Sequence, residues 1–466
     1  MFRSILNTLG NCFKIPELKS RILFTIMLLA VCRLTAFIVI PTIDGHALSE
    51  YLKQHVHEAG GLLGMYNTFA GGALGNCAVS SLGIMPYISA TIIIQLLTAV
   101  WPRLSKLARE EGGRTKIIQY GRYLTVLLCI GQGFYFAHNW LSPETAFRDF
   151  QGRLVTTDNL FVYYFVTVTV MTAGTMLLMW IGEQITERGI GNGVSLVITI
   201  GILARLPNAV GGAIDMFSTH GGTTEATHHL GTAVVLAILM VFVIGGVIAI
   251  TQAQRKIPVQ YAQRAVGRKM YQGGTSFMPL RVNYSGVMPI IFAQSILMFP
   301  QPLFTNLANI TTAPSLEFIK RFCLAAAYQL NYGSPIYLAI YALMILFFSY
   351  FWVATQFNEI QIADDLKKNG GYIPGVRPGQ GTSDYLHNAM SRITLAGALF
   401  LTVIATIPII LAKQMNVDQN VASFFGGTSI LIAVGVLLDT MRQVESHLMM
   451  RHYDGFLKKG RIRGRF

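Results

Sequence analysis

Charge is scarce in this chain. Of 466 residues only 12% are Asp, Glu, Lys or Arg, about half of the roughly 25% usual in soluble domains. Acidic residues are the scarcer kind, 22 against 36 basic, which leaves a net charge of +14. With 52% hydrophobic residues, the composition excludes a soluble enzyme, a disordered chain and a small disulfide-stapled module. The five cysteines, Cys12, Cys32, Cys77, Cys129 and Cys323, never fall at C-x-x-C spacing. They read as free thiols, neither a redox pair nor a metal site. The dipeptide Gly-Lys is missing, and with it any P-loop, so neither direct nucleotide binding nor a cofactor is expected. The GIGNG at 189–193 follows no strand and reads as a helix start. Ile22–Ile40 is too long for the apolar core of a cleaved leader, and no A-x-A-like site follows it.

What the chain has in quantity is apolar runs. Ten reach spanning or near-spanning length: Ile22–Ile40, Cys77–Trp101, Tyr123–Trp140, Leu160–Ile181, Ile190–Ala204, Leu230–Ile250, Val282–Phe304, Ser334–Phe357, Ile393–Ala412 and Val421–Leu438. A helix needs about 20 residues to cross hydrocarbon, so the fifth and tenth are short. With the N-terminus inside and the runs alternating, the inner segments hold 28 Lys and Arg and the outer ones 7. That asymmetry predicts both termini on the cytoplasmic side and explains the basic net charge.

The runs contain no Asp and no Glu. Ion-coupled transporters use such groups to bind or relay the coupling ion, so a secondary transporter of an organic solute is the alternative and not the first reading. An intramembrane protease lacks a credible dyad: Ser89, Ser295 and Ser349 have no evident histidine partner within the runs, where His138 sits near an end, and His228 and His229 read as a solvated pair. Arg33, the one charge inside a run, reads as a snorkelling or carbonyl-bonded structural residue. The remaining polar groups are few: Gln95, Gln132, Gln294 and scattered Ser and Thr. A pathway through such spans is lined by aliphatic and small residues, which suits a gate better than a solute site.

One apolar stretch cannot span. In GGLLGMYNTFAGGALG at 60–75, Leu62 to Leu74 would make only about 20 Å of helix. It reads as a re-entrant half-helix buried in protein, with an interfacial surface helix as the alternative. Two inner loops, 251–281 and 358–392, are basic and contain prolines. Pro258, Tyr261, Pro374, Arg377 and Pro378 suggest rigid turns that present arginine to an acidic or RNA-bearing partner.

LGIMPYISATIIIQLL (82–97), IGEQITERGIGNGVS (181–195), PVQYAQR (258–264), PGVRPG (374–379) and FGGTSILI (425–432) resemble the bacterial SecY family, the pore subunits of the Sec protein-conducting channel. They occur across the whole chain in family order; the outer loops 141–159, 205–229 and 305–333 look least like the family. The resemblance implies an all-α polytopic membrane protein of the bacterial cytoplasmic membrane. Ten transmembrane helices would form two inverted, pseudo-symmetric five-helix halves around a central pore, with a re-entrant plug helix. The halves would be 1–229 and 230–443, followed by a basic tail, 444–466. It implies no catalytic residue. SecE, SecG, the SecA ATPase and the translating ribosome would be partners, with unfolded polypeptide as cargo and the lipid bilayer receiving its membrane segments.

Residue by residue, the resemblance implies a pore ring of Ile84, Ile88, Val194, Ile198, Ile291 and Ile432. The plug would include Leu62, Leu63, Met65, Tyr66, Phe69 and Leu74. Ser89, Gln95, Gln132, Gln294 and Phe299 would border a lateral gate between the second and third spans and the seventh and eighth. Arg255, Lys256, Arg264, Arg268 and Arg377 would dock SecA or the ribosome. Pro86 and Pro289, inside the second and seventh runs, would kink those helices and let them part.

Overall fold

The computed structural model describes residues 15–45, 48, 62–110, 112–141, 154–217, 230–261, 264–266, 269–271, 274–310, 317–415 and 428–459. By internal contact the chain divides into two units. The first comprises Met1–Ala226, Asp418–Val421 and Val436–Phe466; the second comprises Thr227–Val417 and Ala422–Gly435.

In the first unit the helices run α1 Pro16–Leu34, α2 Leu62–Phe69, α3 Met85–Val100, α4 Pro102–Arg109, α5 Gly113–Leu141, α6 Leu160–Arg188, α7 Gly193–Leu203 and α8 Leu206–Phe217. Helix α6 is the centre of the packing and touches α1, α5 and α7, while α3 packs on α5. Two glycines allow the tight approaches. A Cβ on Gly174 would lie 2.1 Å from the Val79 carbonyl oxygen, and one on Gly193 would lie 1.9 Å from that of Gly182. The GIGNG stretch is a helix junction: Gly189 ends α6, and the Asn192 side chain accepts from the Ser195 amide to start α7. Helix α3 turns by 102° into α4 at Trp101, where Pro102 forces the preceding residue into an extended conformation.

The second unit contains α9 Leu230–Gln252, β1 Gln254–Tyr261, β2 Arg264–Val266, β3 Lys269–Tyr271 and β4 Thr275–Arg281. There follow α10 Met288–Leu297, α11 Pro300–Ile310, α12 Glu317–Gln329, α13 Pro335–Gln356, α14 Glu359–Lys368, β5 Gly371–Tyr372 and α15 Gln380–Gln414. The last helix, α16 Thr428–Lys459, begins in this unit. The strands form an antiparallel sheet in the order β4-β1-β5, with β2-β3 a separate hairpin. In β1, Ile257 and Val259 are buried while Lys256 and Pro258 face out, the period of a half-buried strand. They join Leu280, Val353, Phe357, Ile373 and Leu386 in one core.

A helix coincides with each of the ten apolar runs, and the protein is an all-α polytopic membrane protein in which the small sheet is an addition. Among the described residues six helical stretches, some joining consecutive helices, are long and apolar enough to cross a membrane: Leu160–Arg188, Gly193–Gly211, Val234–Gln252, Met288–Ala308, Pro335–Lys368 and Gln380–Leu411, or seven if α3 and α4 count as one bent span. Helix α1 carries Glu17, Lys19, Arg21 and Arg33, which dilutes its apolar character.

Several boundaries differ from expectation. The second run is helical only from Met85, not Cys77, and the seventh only from Met288, not Val282. Pro86 and Pro289 therefore sit in the first turns of α3 and α10 and start those helices without kinking them; a first-turn proline has no intrahelical hydrogen bond to lose. The seventh run instead breaks at Met298–Phe299, before Pro300. The half-helix expected over Leu62–Leu74 is the eight-residue α2, followed by turns. Helices α15 and α16 extend into polar sequence beyond their apolar runs.

The close approach at Gly174 can be tested. Gly174→Ala forces Cβ into the Val79 backbone and should cost about 2–3 kcal/mol. Gly131→Ala on α5, where a Cβ meets nothing within 4 Å, should be neutral or slightly stabilising. Thermal unfolding in detergent should show a lowered midpoint for the first variant alone.

Candidate functional site

The short helix α2 ends in a glycine cap. Gly71 and Gly72 have φ of +67° and +88°, a left-handed turn that side chains resist. The Gly72 amide donates to the Asn67 carbonyl at 2.8 Å and the Gly71 amide to that of Thr68 at 3.1 Å, the paired bonds of a Schellman ending. Helix α2 then gives way to turns, and the chain from Ala70 to Ile84 is irregular yet mostly buried.

This irregular backbone is anchored from all sides. The Val79 amide donates to Ile38 at 2.8 Å, and the Cys77 carbonyl accepts from Ile40 at 3.0 Å. Ser81 donates to the Ala73 carbonyl at 3.1 Å and Asn67 Oδ1 accepts from the Gly75 amide at 3.0 Å. Tyr66 donates its hydroxyl to the Leu82 carbonyl at 2.9 Å and stacks at a tilt against Phe136, 5.1 Å between centroids. Arg33 Nη1 donates to the Gly71 carbonyl at 2.6 Å, and Arg205 Nη1 to Thr68 Oγ1 at 3.2 Å. Arg33 thus takes the carbonyl-bonded role. Gly71 lies so close to α7 that a Cβ on it would be 2.9 Å from Gly201 Cα. A cavity of about 30 Å³ remains beside this contact, bordered by Arg33, Phe69, Ala70, Ile84 and Gly201.

Of the plug candidates, Tyr66 and Phe69 are buried on α2, and Leu74 is buried in the turns beyond it. Leu62, Leu63 and Met65 lie on α2, but their side chains fall outside the described set, as does all of 60–61.

Of the ring candidates, Ile84, Ile88 and Ile198 in the first unit and Ile291 and Ile432 in the second are each 4% exposed or less, and Val194 is half-buried. None of the six is an exposed, lipid-type surface residue. Ile84 is the N-cap of α3 and not a residue within it, although the Ile88 amide still reaches its carbonyl at 3.2 Å. The two units share a local device here. Gly83 (φ +58°), Ile84, Met85 and Pro86 open α3 in the same conformation in which Gly286 (φ +62°), Val287, Met288 and Pro289 open α10. Ile88 and Ile291 occupy equivalent positions after the two prolines.

The four polar gate candidates have one feature in common, which Ser80, Thr175, Gln301 and Tyr341 also show. Ser89 Oγ, Gln95 Oε1, Gln132 Oε1 and Gln294 Oε1 are all buried without a hydrogen bond from the protein. An orphaned buried polar atom is costly, and such atoms concentrate where a site changes state or meets a ligand. Gln294 Nε2 does donate, to Thr428 Oγ1. Phe299, half-buried, marks the break between α10 and α11.

The docking candidates lie on and beside the sheet. Arg255 and Lys256 are exposed on β1. Strand β5 pairs with β1 through Gln260↔Tyr372 and Tyr261↔Gly371, so the two basic loops form one body. Next to β5, Pro374 and Gly375 (φ +81°) make a turn closed by the Val376 amide on the Ile373 carbonyl at 3.1 Å. Exposed Arg377 follows, with its carbonyl held by the Thr382 hydroxyl at 3.0 Å. Arg264 lies on β2, its side chain outside the described set; Arg268 is outside the described residues.

Comparison with known proteins decides the family. The family model SecY matches residues 78–441. The chain belongs to the SecY family. It is 43% identical over 464 residues to protein translocase subunit SecY of Chlamydia muridarum, covering 98% of this chain and 99% of that one. To the Escherichia coli SecY it is 41% identical, covering 96% of each. Two solved structures share the fold over 91% of each chain: a SecY channel whose plug domain stabilises the closed state (17% identity, TM-score 0.55) and Sec61 in the canine ribosome–channel complex (16%, 0.52). Like the other SecY proteins, this chain is the pore-forming subunit of the protein translocation channel, a multi-pass membrane protein and not an enzyme. The secondary-transporter alternative is set aside.

Two features of this SecY-family chain were not legible beforehand. By sequence Arg205 is one outer-loop charge among seven, yet its place two residues after α7 brings it to Thr68. Gly201 carries no mark in the sequence, yet the backbone at Gly71 lies against it. The only available signal was a lone arginine beside an apolar end.

The glycine cap of α2 should be sensitive at one position more than at its neighbour. Gly71→Ala adds strain at positive φ, about 1–2 kcal/mol, and pushes on Gly201; Gly72→Ala adds the strain alone, since a Cβ there meets nothing within 4 Å. Hydrogen exchange of the amides over 66–73 should accelerate more in the first variant than in the second.

Proposed function

We propose that this channel passes unfolded, signal-bearing polypeptides across the bacterial cytoplasmic membrane and releases transmembrane segments sideways into lipid. Ten spans in two inverted halves, 1–229 and 230–443, carry it, with both termini and the tail 444–466 cytoplasmic. The observation that carries this reading is the short apolar helix Leu62–Phe69, too short to span and capped by glycines against Gly201. It is the plug, with Leu62, Leu63, Met65, Tyr66, Phe69 and Leu74 its apolar body. The plug domain that stabilises the closed state in a solved SecY channel supports this.

Ile84, Ile88, Val194, Ile198, Ile291 and Ile432 are the pore ring. A narrow aliphatic collar dewets and so blocks ions when idle. Branched alkyl chains offer no hydrogen bond, so a passing polypeptide of any sequence meets a pliable gasket. Ser89, Gln95, Gln132, Gln294 and Phe299 border the lateral gate; the orphaned oxygens of four of them favour a seam that can part. Arg255, Lys256, Arg264, Arg268 and Arg377 form the docking surface for SecA and the translating ribosome, and SecE and SecG complete the complex. The ribosome-bound Sec61 of the same fold supports the ribosome as a partner. SecA would supply the energy of ATP hydrolysis that a chain without a P-loop cannot.

Replacing Ile84 and Ile198 together by Gly or Ser should raise ion conductance of the idle channel in planar bilayers and loosen selection for signal sequences. Idle conductance at the unaltered level would remove both residues from the ring. Arg377→Glu should cut SecA-driven translocation into vesicles about tenfold by placing the wrong charge at a steered contact, while SecE still co-purifies. Undiminished translocation would place docking elsewhere.

A further inference from the structure

Two arginines from distant parts of the first unit converge on the C-terminal end of α2. Arg33 comes from the last turn of α1 and Arg205 from the turn joining α7 to α8, 38 and 137 residues from their acceptors. A helix C-terminus carries unsatisfied carbonyls and partial negative charge, and cations are favoured there. Arg33 is held for the task, its guanidinium 4.9 Å over the Phe37 ring. The Gly71 backbone packs closely on Gly201, with a cavity of about 30 Å³ beside the contact. The two arginines add polar contacts to that packing. The two arms are unequal: Arg33 makes a short bond to a backbone carbonyl, Arg205 a longer one to a hydroxyl.

We propose that Arg33 and Arg205 are the two arms of a latch that positions the plug and sets how readily the idle channel opens, with Arg33 the stronger arm. The inference rests on reading α2 as the seal. Because one arm comes from α1 and the other from the end of α7, a shift of either helix strips a bond from the plug. Opening the channel then requires moving a helix that carries an arm, and not only pushing on the plug itself.

The test uses the full chain in its membrane complex, reconstituted in planar bilayers. Arg33→Gln should raise idle ion conductance about ten- to hundredfold, the equivalent of one charge-assisted hydrogen bond. Arg205→Gln should raise it less, and Arg33→Lys, which keeps the charge at the helix end, should restore part of the seal. In a background lacking Leu62–Gly72, which should leak by itself, Arg33→Gln should add nothing. If the deletion leaks but Arg33→Gln and Arg205→Gln do not, the latch is wrong and the plug stands. If the deletion itself does not leak, the plug reading fails first. A leak from Arg33→Gln that adds to that of the deletion would overturn the latch, because the arginine would then act on something other than the plug. Should Arg33→Gln fail to assemble, Arg205→Gln decides by the same measurements, alone and in the deletion.

Discussion

In an apolar medium a peptide group without a partner is intolerable, and the architecture follows from that constraint. Helices satisfy it locally, which is why each long apolar run of this chain coincides with one. The stretch from Ala70 to Ile84 is the exception. It is neither helix nor strand, and its groups are satisfied largely by partners brought from elsewhere: Ile38 and Ile40 for its edge, Asn67 of α2 for the Gly75 amide, Tyr66 and Arg33 for its carbonyls, with Ser81 bonding from within. Irregular backbone of this kind is tolerated only when buried in protein.

Glycine has two separate uses around this segment. At Gly71 and Gly72 it supplies the left-handed turn that ends α2. At Gly201 and Gly174 it supplies absence, since only a missing side chain lets the backbone of 70–84 lie against α7 and α6. Beyond them, Gly83 and Gly286 repeat one helix-opening device in the two units.

The basic surface of the second unit follows another logic. Its charges can face outward because a compact apolar core lies beneath them, formed by β1, β4 and β5 with the ends of α13 and α15. Pro258 is tolerated in β1 because β5 pairs only with the end of that strand, at Gln260 and Tyr261. A flexible loop would lose entropy on meeting a large partner; a turn closed by Pro374 and Gly375 has lost most of it already.

Much was legible in the sequence for physical reasons that act locally. Hydropathy marks the helices because apolar length is a one-dimensional property, and the family motifs cover the whole chain. Glycine-rich 62–74 declared itself as too short to span. Where a helix begins was less legible: Pro86 and Pro289 lie inside apolar runs, and hydropathy cannot tell a kink from a start. The sequence by itself determined that this is a helical membrane protein with Lys and Arg gathered in alternate loops and no carboxylate in its apolar runs. Only the tertiary structure decided that Arg33 and Arg205 reach the same helix end, that two basic loops share one sheet, and that Gly71 lies against Gly201. Those are meetings of residues tens to more than a hundred positions apart, and pattern along a chain carries no distance across it.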